Sequence, residues 1–169
     1  MAGYDFEAVA ADVPETPQDG EKAEAYTLRV ARDKVTHVAR LRRGHDVVVL
    51  GADTEVVARG RILGKPENPD DAARMLRLLS GHVHTVLTAV VIHAGSRMVE
   101  DVVTTQVRFT VMTAAEIAWY VDSGEPMGKA GAYGIQGRAA RFIDWIEGSW
   151  SNVVGLPLAT VHRLLSAVE

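Results

Sequence analysis

The sequence contains no cysteine and no long apolar run. The lack of cysteine excludes disulfide bonds and thiolate zinc sites. No apolar segment approaches the roughly 20 residues that a membrane-spanning helix needs. The first residues, Met1 to Phe6, also lack the basic and apolar regions of a signal peptide. These absences predict a soluble protein with a cytoplasmic location and no membrane partner.

An excess of positive charge is also missing. The formal net charge is -4 at pH 7, with 18 Lys and Arg against 22 Asp and Glu. Proteins that bind nucleic acids need a basic surface to displace counterions from the phosphates, so no nucleic-acid partner is expected. A few local lysines can still hold a small triphosphate, especially when a divalent cation shares the charge.

The composition is that of one globular domain. The chain has 169 residues, of which 47% are hydrophobic and 24% are charged. That length is sufficient for a hydrophobic core of ordinary size. Because the sequence shows no internal repeat, low-complexity tract or linker, residues 1–169 are predicted to form a single domain.

The stretch that follows Val47 carries the clearest functional signal. Val47 to Leu50 is an aliphatic run that predicts a strand covered on both faces, ending at Gly51 and Ala52. Asp53 and Thr54 would then lie at the carboxyl end of the strand, where open α/β sheets bind ligands. Asp53 is therefore a candidate functional carboxylate. The alternative is that it caps a helix or forms a turn.

A predicted hairpin comes directly after this carboxylate. Residues 56–58 and 61–63 flank Arg59-Gly60, a pair typical of tight β-turns. The returning arm would bring Lys65, held between Gly64 and Pro66, to the same edge as Asp53.

The remaining segments predict alternating helices and strands. In residues 21–43, acidic residues come early and basic residues come late, which favours a long helix that ends at Gly44. Two further helices are predicted to begin at Asn68-Pro69 and at Thr113. The full set is a short strand and rigid turn in 1–20, helices over 21–43, 69–80, 113–123 and 158–168, an antiparallel hairpin of 83–92 and 98–111, a strand over 142–146, and a turn over 149–152.

Several charged and imidazole side chains have two interpretations. Lys34 lies near two arginines on the first predicted helix, and the simple interpretation is a solvated face. Glu15, in a proline-rich turn, is either a metal ligand or a solvated loop charge. His82 and His84 have a spacing that can bind metals in β structure, but with no third ligand evident they are interpreted as structural.

The segment from Gly124 to Gly137 is rich in glycine. Such a backbone turns repeatedly and can approach a ligand closely. Lys129, Tyr133 and Gln136 supply a charge, a stacking face and an amide, a set suited to a nucleotide. The segment is therefore predicted to be a binding loop rather than a flexible surface loop.

Five motifs in this order closely resemble the Maf family of nucleoside triphosphate pyrophosphatases. The resemblance covers nearly all of the chain, and the run from Lys129 is the most specific part of it. The motifs are Gly51-Ala-Asp-Thr54, Ile62-Leu-Gly-Lys-Pro66, Gly124-Glu-Pro126, Lys129-Ala-Gly-Ala-Tyr-Gly-Ile-Gln-Gly137 and Asn152-Val-Val-Gly-Leu-Pro-Leu158.

The resemblance implies an α/β fold shared with the house-cleaning inosine triphosphate pyrophosphatases. In that fold a bent mixed β-sheet separates two α/β lobes with a central cleft for the nucleotide. It also implies hydrolysis of nucleoside triphosphates to the monophosphate and pyrophosphate. The presence of Thr54, Lys129 and Gln136 resembles the branch that acts on dTTP and UTP, and the family's frequent dimers suggest a homodimer.

The resemblance further implies roles for individual residues. Asp53 would be the general base or metal-linked carboxylate that activates water, with Glu15 near a divalent cation, magnesium or alternatively manganese. Lys34 and Lys65 would neutralise triphosphate oxygens, while Thr54 and Gln136 would help to select the base.

The chain departs from the family pattern in two places. Pro14 stands where the family has an acid beside Glu15, and no Ser-x-Ser-Pro-Arg-Arg segment occurs in the sequence. The serine and arginines of that segment would contribute to phosphate binding. A second hypothesis is therefore a catalytically impaired, nucleotide-binding or septum-regulating protein.

Overall fold

A five-stranded sheet and five helices make up most of the structure, a computed structural model that describes residues 3–42 and 47–168. The elements in chain order are α1 (Ala23–Leu41), β1 (Val48–Ala58), β2 (Arg61–Leu63), α2 (Pro69–Leu79), β3 (Val83–Ala94), β4 (Arg97–Phe109), α3 (Ala114–Asp122), β5 (Ile143–Glu147), α4 (Trp150–Val154) and α5 (Leu158–Ser166), with 3₁₀ turns at Ala130–Ala132 and Arg138–Phe142.

The strands are arranged in the order β2-β1-β3-β4-β5. The predicted α/β class is confirmed, and so are both predicted hairpins, β1–β2 and β3–β4. The resemblance implied a mixed sheet, but every pairing formed by the described residues is antiparallel. Tight hairpins can join only antiparallel strands, and the crossover through α2 places β3 beside β1 rather than beside β2.

β1 differs most from its prediction. It does not end at Gly51-Ala52 but continues to Ala58, because β3 pairs with it from Val48 to Val57 and satisfies its backbone groups. Nor is its first part covered on both faces, since Val48 is 55% exposed while Val49 is buried. Gly51 is required by a close approach of α1: a Cβ there would lie 2.6 Å from Val35 Cγ2.

Two other predictions about local structure were wrong. Residues 3–20 contain no strand and follow an irregular path ahead of α1. The predicted turn over 149–152 is the start of α4, because the Ser149 side chain accepts a hydrogen bond from the Asn152 N–H and caps a helix there. α1 ends at Leu41, and the predicted stop at Gly44 lies outside the described residues.

Both predicted helix starts are confirmed by their caps. The Asn68 side chain accepts from the Asp71 N–H at the start of α2, with Pro69 in the first turn. Thr113 and Glu116 form a reciprocal capping box at the start of α3. These contacts are local, so the order of residues alone determines them.

Hydrophobic packing divides the molecule into two regions. One region packs α2 and α3 on the half of the sheet that contains Val56, Val86 and Val107. In the other, α1 covers one face of the sheet around Val49 and Val91, and α5 covers the opposite face around Val90 and Ile92.

Polar residues lie between the two regions. In the middle of the β1–β3 pairing, Asp53 is opposite Ala89 and Thr54 is opposite Thr88. These two regions match the predicted lobes, and the polar positions mark the cleft. Among the described helices, none is both long and apolar enough to cross a membrane.

Candidate active site

A cavity of about 570 Å³ opens between the middle of β1 and the glycine-rich loop. Its wall brings together side chains that are far apart in the sequence. All six residues predicted for catalysis or substrate binding line it: Lys34, Asp53, Thr54, Lys65, Lys129 and Gln136.

A chain of ion pairs occupies one side of this cavity. The Lys34 Nζ lies 2.7 Å from Asp53 Oδ1 and 2.7 Å from Glu15 Oε1. The Lys65 Nζ lies 3.1 Å from Glu15 Oε2. Glu15 therefore contacts both lysines, although it comes from the irregular segment ahead of α1. Lys34 and Glu15 are therefore not simple solvated charges, because each forms an ion pair with an oppositely charged side chain.

Asp53 is the most buried member of this chain of ion pairs. It is 8% exposed, and its Oδ2 has no hydrogen-bond partner among the described residues. Burial raises the pKa of Asp53 above its ordinary value, and the ammonium group of Lys34 offsets part of that rise. The carboxylate therefore has one oxygen paired with Lys34 and one buried oxygen without a partner among the described residues.

Lys34, the partner of Asp53, and Glu15, the partner of Lys65, both stay charged at neutral pH. Burial alone would lower the pKa of Lys34, but its hydrogen bonds to Asp53 and Glu15 outweigh burial and raise that pKa. The hydrogen bond from Lys34 lowers the pKa of Glu15, with burial opposing it and Lys65 adding to it. Anions that enter the cavity must compete with these carboxylates for the lysines.

Thr54 lies on the other face of β1 from Asp53, as strand alternation requires. Its hydroxyl is 2.9 Å from the Thr88 hydroxyl and 3.5 Å from the Gly155 carbonyl oxygen. Thr88 in turn donates to the Asn152 carbonyl oxygen. This buried polar network fixes the segment after α4 against the centre of the sheet.

The glycine-rich loop is anchored at both ends by Glu125. Its Oε1 accepts from the Tyr120 hydroxyl at 2.9 Å, and its Oε2 accepts from the Arg138 N–H at 2.9 Å. A Cβ at Gly137 would lie 2.2 Å from Glu125 Oε1, so a side chain there would displace the Glu125 carboxylate. Lys129 donates to the Glu125 carbonyl oxygen at 2.6 Å. These contacts hold the loop in place and argue against a freely flexible segment.

Tyr133 does not offer the open stacking face that the sequence predicted. It is 6% exposed, its ring packs 4.8 Å from that of Phe109, and its hydroxyl lies 2.8 Å from His84 Nε2. The side chain joins the loop to the core. His84 is thus structural, as expected, and His82 likewise contacts Arg59 and the Ser80 carbonyl oxygen.

The family model described as Maf-like protein matches residues 1–168. The chain belongs to the Maf family. A dTTP/UTP pyrophosphatase of Xanthomonas campestris pv. campestris is 48% identical over 165 residues, covering 96% of this chain and 87% of that protein. A dTTP/UTP pyrophosphatase of an Anaeromyxobacter species is 51% identical over 96% of this chain and 79% of its own length.

A third Maf-related protein carries a broader name. The nucleoside triphosphate pyrophosphatase of Xylella fastidiosa is 45% identical over 166 residues, covering 97% of this chain and 88% of that protein. The family resemblance inferred from the motifs is therefore confirmed over almost the whole Maf chain.

Glu55 is a buried carboxylate of this Maf chain that the sequence reasoning missed. It is 7% exposed, and burial raises its pKa to about 8, with the nearby charges of Asp53 and Glu15 adding to the rise. The prediction ended the strand before it. Had the strand been predicted to continue past Thr54, Glu55 would have been placed on the same face as Asp53, because residues two apart on a strand share a face.

The oxygens at this site suit a hard divalent cation. In residues 3–42 and 47–168 no group of three or more His, Cys, Asp or Glu could hold a metal on its own. Mg²⁺, however, is usually held by one or two carboxylates together with substrate phosphates and water. The unpartnered Oδ2 of Asp53 and the neighbouring carboxylate of Glu15 fit that arrangement.

Proposed function

We propose that this Maf chain hydrolyses nucleoside triphosphates, with dTTP and UTP as the preferred substrates, to the monophosphate and pyrophosphate. The observation that carries the proposal is the convergence of Asp53 and three lysines on one cavity. The names of the relatives, dTTP/UTP pyrophosphatase and nucleoside triphosphate pyrophosphatase, support the same reaction. In this proposal the chain is an enzyme rather than a binding module.

Lys34 and Lys65 bind the triphosphate in the proposed reaction. Their ammonium groups already converge on Glu15, which separates them from each other with 2.7 and 3.1 Å contacts. Phosphate oxygens replace Glu15 and Asp53 as the partners of these lysines. Lysine is a flexible point charge and can make such an exchange by rotating its side chain.

Asp53 accepts the proton of the attacking water. The water oxygen forms a bond to the α-phosphorus, the bond from that phosphorus to the bridging oxygen breaks, and pyrophosphate leaves. A general base works best when its pKa is moved toward the working pH, and burial moves the pKa of Asp53 in that direction. Because β1 is fixed by β3 on both sides of Asp53, the carboxylate needs little reorganisation.

Asp53 and Glu15 would hold the divalent cation, magnesium or alternatively manganese. When bound, such a cation polarises phosphoryl oxygens and lowers the pKa of water. Glu15 becomes free for this role when its two lysines turn to the phosphates. The exchange keeps every charged group paired, which matters in a partly buried site.

Thr54, Lys129 and Gln136 contact the nucleoside end in this proposal. They lie on the wall of the same cavity, and the loop that carries Lys129 and Gln136 is held rigid by Glu125. Amide and ammonium groups can donate to the carbonyl oxygens shared by thymine and uracil. Larger purines would need more room at this end.

The test is the release of pyrophosphate from dTTP, UTP, CTP and dATP with Mg²⁺, using the wild type and Asp53→Asn. We expect fastest release from dTTP and UTP, and a fall in kcat of about 10²- to 10⁴-fold in Asp53→Asn with nucleotide binding retained. Asp144→Asn is the matched control, because Asp144 is an exposed aspartate on β5 that pairs with Arg108 of β4.

Bound nucleotide without any pyrophosphate release by the wild type would contradict the proposal. That result would favour the second hypothesis, a nucleotide-binding protein with a regulatory role in septum formation.

A further inference from the structure

Two buried carboxylate oxygens on β1 have no hydrogen-bond partner among the described residues. They are Asp53 Oδ2 and Glu55 Oε2. Asp53 is 8% exposed and Glu55 is 7% exposed. Unpartnered buried polar atoms are uncommon in folded proteins, and each one needs a physical explanation.

The two carboxylates share one face of the strand. Residues two apart on a strand point to the same side and are separated by a rise of about 6.6 Å. Asp53 meets Lys34 of α1 on this side. Glutamate has one more methylene than aspartate, so the carboxylate of Glu55 can lean along the strand toward that of Asp53.

No cationic side chain among the described residues pairs with Glu55. Lys34 and Lys65 are the nearby cations, and both are bonded to other carboxylates. Glu55 itself makes no ion pair among the described residues. Leaving a carboxylate buried without a partner is costly for folding. A group that serves only for packing would be better replaced by an apolar side chain of similar volume.

A divalent cation would supply a partner for both carboxylates. Mg²⁺ and Mn²⁺ prefer oxygen ligands, and Mg²⁺ sites typically combine one or two carboxylates with phosphate oxygens and water. Asp53 lines the cavity that the triphosphate would enter, and Glu55, which is not itself a lining residue, is two residues further along the same face of β1. The cation would therefore be held from the protein side by β1 and from the open side by the substrate.

We propose that Glu55, together with Asp53, is a ligand of the divalent cation in this site. The proposal deepens the proposed function and rests on it. It assigns to Glu55 a role that the motifs do not give it, since the motif around Asp53 ends at Thr54.

The experiment measures Mn²⁺ binding directly. Mn²⁺ is titrated into the full chain saturated with a dTTP analogue that has a nitrogen between its α- and β-phosphates, and the free Mn²⁺ is counted by electron paramagnetic resonance. We expect Glu55→Gln to raise the Kd for Mn²⁺ about tenfold or more, as losses around metal ligands do. Binding of the analogue without Mn²⁺ should be unchanged, because Glu55 contacts the cation and not the nucleotide.

A second measurement separates this role from a structural one. Glu55→Gln removes an unpartnered acid, so without metal it should melt at the same temperature as the wild type or higher. Its rise in melting temperature on adding Mn²⁺ should be smaller than that of the wild type. Glu55→Asp keeps a carboxylate at this position and should show an intermediate Kd. Glu147→Gln on β5, an exposed strand glutamate, is the matched control and should bind Mn²⁺ as the wild type does.

The outcomes distinguish the two proposals. If Glu55→Gln and Glu55→Asp bind Mn²⁺ as tightly as the wild type while Asp53→Asn loses it, the role of Glu55 is overturned and the hydrolase remains. If the wild type neither binds Mn²⁺ nor releases pyrophosphate, both proposals are overturned.

Discussion

Lys34 and Lys65 illustrate how the site depends on single charges. Both ammonium groups contact Glu15, and Lys34 also contacts Asp53, so the lysines are held beside the cavity before any anion enters. Their side chains differ in exposure, 21% for Lys34 against 60% for Lys65. Lys34 is thus fixed more firmly and should contribute more to binding.

Replacing either lysine should weaken substrate binding more than it slows the reaction. We expect Lys34→Met and Lys65→Met each to raise KM for dTTP about tenfold or more, since a charged hydrogen bond contributes about 1.5–3 kcal/mol. The fall in kcat should be smaller, with the larger total loss in Lys34→Met. Steady-state kinetics check this, with Lys22→Met, an exposed lysine before α1, as the control. An unchanged KM in both variants would contradict the proposed phosphate contacts.

At the scale of an element, the glycine-rich loop also depends on a few specific contacts. Its conformation depends on the hydrogen bonds of Glu125 at both ends and on a close approach at Gly131, where a Cβ would lie 2.9 Å from the side chain of Val56. Gly131 also has a positive φ of 67°, which favours glycine. The loop presents Lys129 and Gln136 only while these contacts hold it against the sheet.

Glu125→Ala should therefore disturb the loop as a unit. It leaves the Tyr120 hydroxyl and the Arg138 N–H without their acceptor, which should cost about 1–3 kcal/mol of stability. We expect KM for dTTP to rise while kcat at saturation changes less, because Asp53 is not moved. Glu125→Gln retains one carbonyl acceptor and should recover part of the loss.

Urea unfolding and steady-state kinetics measure the two effects of Glu125→Ala. Glu67→Ala, an exposed glutamate ahead of α2, is the control. A variant that is destabilised but keeps the wild-type KM would show that Glu125 supports the fold without positioning the loop for substrate.

At the scale of the whole molecule, His84 couples the sheet to the active-site loop. It is 2% exposed on β3, and its Nε2 lies 2.8 Å from the Tyr133 hydroxyl. The ring of Phe109 on β4 packs against it at 5.2 Å. Burial lowers the pKa of His84 to about 4, although its backbone contact with His82 opposes the change.

The stability of the whole protein should depend on this imidazole at acidic pH. The folded pKa lies below the unfolded value of 6.5, so the unfolded state binds the proton more readily. The contribution of the neutral His84 is fully present above pH 6.5 and is lost progressively as the pH falls to about 4. The loss can reach about 1.4 kcal/mol per pH unit within that window.

Urea unfolding of His84→Gln between pH 4 and 7 tests this dependence. Glutamine cannot take up the proton, so the slope of the free energy of unfolding against pH should be shallower than in the wild type. Equal slopes in the two proteins would mean that other groups cause the acid sensitivity.

Much of the fold follows from local patterns in the sequence. The caps at Asn68 and Thr113 and the turns at Arg59-Gly60 and Gly95-Ser96 each involve residues only a few positions apart. Local hydrogen bonds and turn geometry determine such features without contacts between distant segments. The family resemblance likewise identified six residues that the structure places around one cavity.

Other features were decided only by packing between distant segments. Gly51 and Ala52 looked like the end of a strand, but pairing with β3 carries β1 through them and buries Glu55. Glu15 reaches two lysines because the irregular segment ahead of α1 returns to the cavity. The sequence by itself determined four of the five helices, the hairpins and the family. The tertiary structure decided which charges are buried and which are paired, because burial and ion pairing depend on segments that the order of residues does not bring together.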